Sequence, residues 1–124
     1  MTSYKDEDTP PCVLILDDEP LIVMDLESML NDAGYATCTA TTVEKAMSLV
    51  SEHTISAAIL DIDLGHGSTS FAVADCLHDQ QIPFLFHSAD LKSNRSTIED
   101  YSAGSLSKPC EESDIINTVK MMIG

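Results

Sequence analysis

Residues 12–20 read CVLILDDEP: a five-residue apolar run, Cys12 to Leu16, with three acids, Asp17, Asp18 and Glu19, directly behind it and Pro20 after them. The run has the length of a strand, and Pro20 stands where the first turn of a helix tolerates a missing N–H donor. The acids between them are the puzzle. Two carboxylates about 4 Å apart repel by roughly 4 kcal/mol at an effective dielectric of about 20, so a cationic group is expected among them.

Downstream the chain keeps alternating between strand-like and helix-like patterns. Ile22, Val23, Leu26, Met29 and Leu30 recur at helical spacing over about 20–32, and Gly34 is a natural stop. A short strand is expected over 35–40. Thr42 then caps a helix carrying Val43, Ala46, Met47, Leu49 and Val50. SAAILDID (56–63) reads as the next strand, 64–70 as a Gly-containing loop, and Phe71, Val73, Ala74 and Leu77 as a third helix. IPFLFHS (82–88) reads as a fourth strand and GSLS (104–107) as a weak fifth. Ile115, Ile116, Val119, Met122 and Ile123 give a clear final amphipathic helix. The segment 91–103 has little apolar surface beyond Leu91, Ile98 and Tyr101, so a helix there is expected to be short or mobile. Strands alternating with helical crossovers imply an α/β fold, a parallel sheet with helices on both faces.

The 124 residues suit one domain, 12–124, behind a polar, acidic tail over 1–11 that is expected to be flexible. Six Lys and Arg against 21 Asp and Glu leave a formal charge of −15, which repels nucleic-acid phosphates and anionic membrane surfaces. With no apolar run of spanning length and no apolar signal core, a cytoplasmic location is expected. Cys12, Cys38, Cys76 and Cys110 are widely spaced and form no Cys-x-x-Cys motif, so four reduced, mostly buried thiols are expected.

In an open α/β sheet the functional crevice lies beyond the carboxyl ends of the strands. Here the polar residues collect at those ends: Asp17 and Asp18 after the first strand, Asp61 and Asp63 at the third, Ser88 at the fourth, Lys108 after the fifth. Carboxylates and carbonyls gathered in such a cup suit a hard, near-octahedral Mg²⁺, so the acids read as a metal site.

LDDE, ILDIDL, FHSAD and LSKP, in that order, resemble the receiver domain of two-component response regulators over roughly 12–123. The resemblance implies a doubly wound, flavodoxin-like sheet of strand order 2-1-3-4-5. It implies Asp61 as phosphoacceptor, Asp18 as a direct Mg²⁺ ligand, Asp17 as a ligand acting partly through water, and the Asp63 backbone carbonyl as a further ligand. Ser88 would be the hydroxyl that moves to bond the phosphoryl group, Lys108 the cation paired with Asp61 or its phosphate, and Lys108–Pro109 a cis bond. The implied partners are a sensor histidine kinase or a histidine phosphotransfer protein, with a downstream protein target. The implied role is that of a single-domain phosphoacceptor in signalling or a phosphorelay, not an enzyme. His87 reads as a packing or surface residue.

Two features depart from that pattern. Ser105 occupies the position three residues before the Lys where receivers commonly place a switching Tyr or Phe. The loop IDLGHGSTSF and the strand IPFLFHSAD partly resemble a stand-alone subgroup whose fourth strand ends in Pro-Phe-x-Phe-Ala-Thr-Gly-Tyr. These departures favour one alternative, a degenerate receiver that binds partners without being phosphorylated. A second alternative is a small haloacid-dehalogenase-type phosphatase, since DID (61–63) resembles its Asp-x-Asp pair. Motif order weighs against it, because that family carries the pair on its first strand.

Overall fold

A computed structural model describes residues 10–124; the expected tail therefore lies, over 1–9, outside the described residues. Five strands, β1 (Cys12–Leu16), β2 (Ala36–Ala40), β3 (Ala57–Leu60), β4 (Phe84–Ser88) and β5 (Gly104–Ser107), pair in parallel in the order β2-β1-β3-β4-β5. Between and after them run α1 (Pro20–Asp32), α2 (Val43–Glu52), α3 (Phe71–Asp79), α4 (Arg95–Asp100, led in by a 3₁₀ turn over Lys92–Asn94) and α5 (Glu112–Ile123). This is a doubly wound, flavodoxin-like sheet with the expected strand order. Among the described residues no helix is long and apolar enough to cross a membrane.

Strand alternation sorts the core into two layers. Val13, Ile15, Ile59 and Leu85 point to one face and are covered by Val23, Leu26 and Leu30 of α1 and Ile115 and Val119 of α5. Leu14, Leu16, Ala58, Leu60 and Phe86 point to the other, beneath Ala46 and Leu49 of α2, Val73 and Leu77 of α3, and Ile98 of α4. The central strands β3 and β4 are buried throughout, whereas the edge strand β5 is mostly exposed, which accounts for its weak apolar signal. At α1, Pro20 takes a first-turn position; at α2, the Thr42 hydroxyl accepts from the Lys45 N–H at 3.2 Å.

Three strands are shorter than their patterns suggest, each because a backbone group is engaged elsewhere. Tyr35 stays out of β2 because its N–H bonds the Leu30 carbonyl at the end of α1 (3.0 Å). Ile82 stays out of β4 because its N–H bonds Leu77 of α3 (2.9 Å), and Pro83 has no N–H to give a ladder. β3 stops at Leu60 rather than Asp63, since the chain turns back through an Asp63–Thr69 antiparallel bridge and a Ser70 N–H to Ile62 carbonyl bond of 3.0 Å. The four cysteines are free but half-buried rather than mostly buried, lying at strand ends, on the edge strand or at the helix margin.

Candidate functional site

The strand order reverses between β1 and β3, and the carboxyl ends of these two strands carry the acids. Asp17 and Asp18 leave β1; Asp61 leaves β3, its N–H bonded to the Leu16 carbonyl at 2.8 Å. Carboxylate oxygens of Asp17, Asp18 and Asp61 all lie within 4.8 Å of one another, with Asp17 and Asp61 buried and Asp18 exposed. One ammonium lies among them. Lys108, two strands away at the end of β5, donates to Asp17 Oδ2 at 2.8 Å and reaches Asp61 Oδ2 at 3.2 Å.

The electrostatics follow from this crowding. Burial, and then the neighbouring Asp17 charge, push the Asp61 carboxyl up from an ordinary 3.8 to about 6, even though Lys108 pulls the other way. Burial disfavours the Lys108 ammonium, but its bonds to Asp17 and the charge of Asp61 outweigh that and hold its pKa above the ordinary value. Asp17 is further fixed by the Glu19 N–H, which donates to Oδ1 at 2.9 Å. A set of hard oxygen donors this close, with one ammonium against three carboxylates, fits a divalent cation of the Mg²⁺ type.

Other residues are brought to the same rim. Ser88 ends β4 with its carbonyl accepting from the Lys108 N–H (3.0 Å) and its hydroxyl accepting from the Asp90 N–H (3.3 Å). The Lys108–Pro109 bond is cis. Asp63 lies on the loop beyond Asp61, and its exposed carboxylate accepts from the Gly65 N–H at 3.0 Å and is not among the clustered acids. His87 is buried, as a packing residue, with burial and then Lys108 lowering its pKa. It lines a groove of about 440 Å³ together with Ile22, Leu26, Lys108, Pro109 and Ile115.

Two contributors escape a reading of motifs. Gly65, at φ +83°, passes so close to the acids that a Cβ there would lie 3.4 Å from Asp18 Oδ2. Its place beside an expected site was a usable signal; its approach to Asp18 was not visible in sequence. Tyr101, read as one of three apolar residues in a thin segment, stacks among Phe71, Phe84 and Phe86 and donates its hydroxyl to Asp75 Oδ1 at 2.6 Å. Ser105, by contrast, is exposed beside Phe86 on the sheet edge.

Comparison with known proteins gives the family and the fold. Residues 13–120 match the family model of the response regulator receiver domain. Over 80 residues the chain is 39% identical to the phyllosphere-induced regulator PhyR of Methylorubrum extorquens, a match that covers 62% of this chain but only 30% of that protein's length. Among solved structures, a response regulator receiver protein from Burkholderia phymatum is similar at 26% identity and a TM-score of 0.83, covering 92% of this chain and 95% of that one. A CheY-like receiver domain protein from Methanospirillum hungatei superposes with a TM-score of 0.85 over 93% of this chain and 94% of its own, at 18% identity, a likeness of fold.

Proposed function

The chain belongs to the family of response regulator receiver domains, and on that premise we propose that it accepts a phosphoryl group on Asp61 from the phosphohistidine of a kinase or phosphotransfer protein. An Asp61 oxygen attacks phosphorus, the N–P bond to the donor histidine breaks, and the chain carries an acyl phosphate. The observation that carries this reading is the bridge made by Lys108, an ammonium held against both Asp17 and Asp61 at the mouth of the crevice. Before transfer it offsets the repulsion between the acids; afterwards it pairs with the new phosphoryl oxygens. With its pKa near 6, Asp61 is mostly the carboxylate nucleophile at neutral pH. Ser88, at the end of β4, is the hydroxyl that turns from the Asp90 N–H toward the phosphoryl group.

Asp17, Asp18, Asp61 and the Asp63 backbone carbonyl would hold Mg²⁺, which when bound supplies positive charge against the phosphoryl oxygens. Signal leaves by protein–protein contact. The exposed Leu21 and Met24 on α1 and the groove beside Lys108 offer apolar surface for it. The test is incubation with acetyl phosphate and Mg²⁺, read by intact mass. A gain of one phosphoryl group is expected in the wild type and none in Asp61→Asn; a wild type that takes up nothing from small donors or a phosphorylated histidine protein is a binding module instead.

A further inference from the structure

The thiols of Cys12 and Cys38 meet across the β1–β2 pair with their sulfurs 3.1 Å apart, closer than an ordinary sulfur contact. Cys12 lies opposite Ala36 and Cys38 opposite Leu14, so the two are diagonal neighbours on one face of the sheet. This is the amino-terminal end of β1, remote from the acids at its carboxyl end. Both residues line an open groove of about 730 Å³, with Pro10, Pro11, His53 and Ser56, through which a small oxidant can arrive.

We propose that Cys12 and Cys38 form a reversible dithiol–disulfide site, oxidised by a hydroperoxide to a crosslink that ties the edge strand β2 to β1. Closing the sulfurs from 3.1 Å to a bond of ~2.05 Å takes a movement that Cys12, at the start of its strand, is placed to make. In the first step the Cys38 thiolate attacks the peroxide, the O–O bond breaks, and Cys38 becomes a sulfenic acid while an alcohol or water leaves. In the second the Cys12 sulfur attacks the Cys38 sulfur, the S–O bond breaks, and the hydroxyl leaves as water with the Cys12 proton. The two thiols lose two electrons and two protons, and the peroxide gains them. Burial, the contact with Cys38 and its charge push the Cys12 thiol up to about 12.

Cleavage after Lys5 and Lys45 isolates both cysteines, and no other, in one peptide, residues 6–45. The folded protein is treated with hydrogen peroxide, then denatured, alkylated and digested with trypsin. Expected is a 6–45 peptide lighter by two hydrogens, carrying no alkyl group and recovering both alkylation sites after dithiothreitol, while Cys76 and Cys110 are alkylated throughout. In Cys12→Ser the peptide should instead hold a dimedone-trappable sulfenic acid at Cys38. A doubly alkylated wild-type peptide, a crosslink to Cys76, Cys110 or a second chain, or a crosslink that forms only in denaturant overturns the proposal.

Discussion

Asp61 carries its charge at a cost to the fold. Its pKa is raised from 3.8 to about 6, so between those values the folded chain holds a proton that the unfolded chain has released. Lowering the pH through that window therefore stabilises the native state, the reverse of a salt-bridged carboxylate. In EDTA at pH 7.5, Asp61→Asn should be more stable than the wild type by about 3 kcal/mol, and the gap should shrink toward pH 5 as the wild-type carboxyl protonates. Urea denaturation at the two pH values decides it: a gap independent of pH would place the strain elsewhere. At this scale the sequence is most informative where chemistry is conspicuous. Acids behind an apolar run and a lysine before proline declare themselves; the approach of Gly65 to Asp18 and the contact of Cys12 with Cys38 depend on loop path and strand register, which no neighbouring residue specifies.

Among the elements, the connection from β4 to β5 is where a bound phosphoryl group would be read. The 3₁₀ turn and the short α4 bury only Ile98, and the ring of Tyr101, directly after them, packs against Phe71 of α3 and Phe84 of β4. With Ser105 exposed, no aromatic ring stands at the position where receivers commonly place a swinging one. Movement of Ser88 toward the phosphoryl group should release the Asp90 N–H and pull the following backbone, ordering a segment with few buried contacts. Hydrogen exchange should therefore slow mainly across 89–103 on addition of beryllofluoride with Mg²⁺, and Ser88→Ala should abolish the effect. Unchanged exchange there, with protection appearing on another face, would rule this route out. The short helix itself was legible from the thin apolar pattern. What Tyr101 does was not, because its partners Phe71, Phe84 and Phe86 lie far away in the chain. Strand limits at Tyr35, Ile82 and Asp63 escape the local pattern for a related reason: each depends on where one backbone group finds its partner.

For the whole molecule, the alternation of patterns carried the fold class, while the polar β5 registered only as a weak strand and its place at the edge comes from the structure. The order β2-β1-β3-β4-β5 is written in no local pattern; it came through the resemblance carried by the site motifs. Three carboxylates facing one ammonium leave a native state that a divalent cation should stabilise by mass action. Mg²⁺ at 100 times its dissociation constant should add about 2.7 kcal/mol. Asp18→Ala should lose most of that gain while melting no lower than the wild type in EDTA. Thermal melts with and without Mg²⁺ test this, and an unaltered Mg²⁺-dependent shift in the variant would take Asp18 out of the site.

The sheet also acts as a partition. Ile115 belongs to the layer under α1 and α5, and Ile62 to the layer under α2 and α3, with no apolar side chain common to both among the described residues. Damage on one side has no packed route to the other, so Ile62→Val and Ile115→Val, each costing about 1 kcal/mol, should sum in the double variant to within about 0.5 kcal/mol. A larger coupling by chemical denaturation would mean that the strands bend to share the strain. If the sum holds, either side can drift, be repacked or be hardened on its own account while the other keeps its shape.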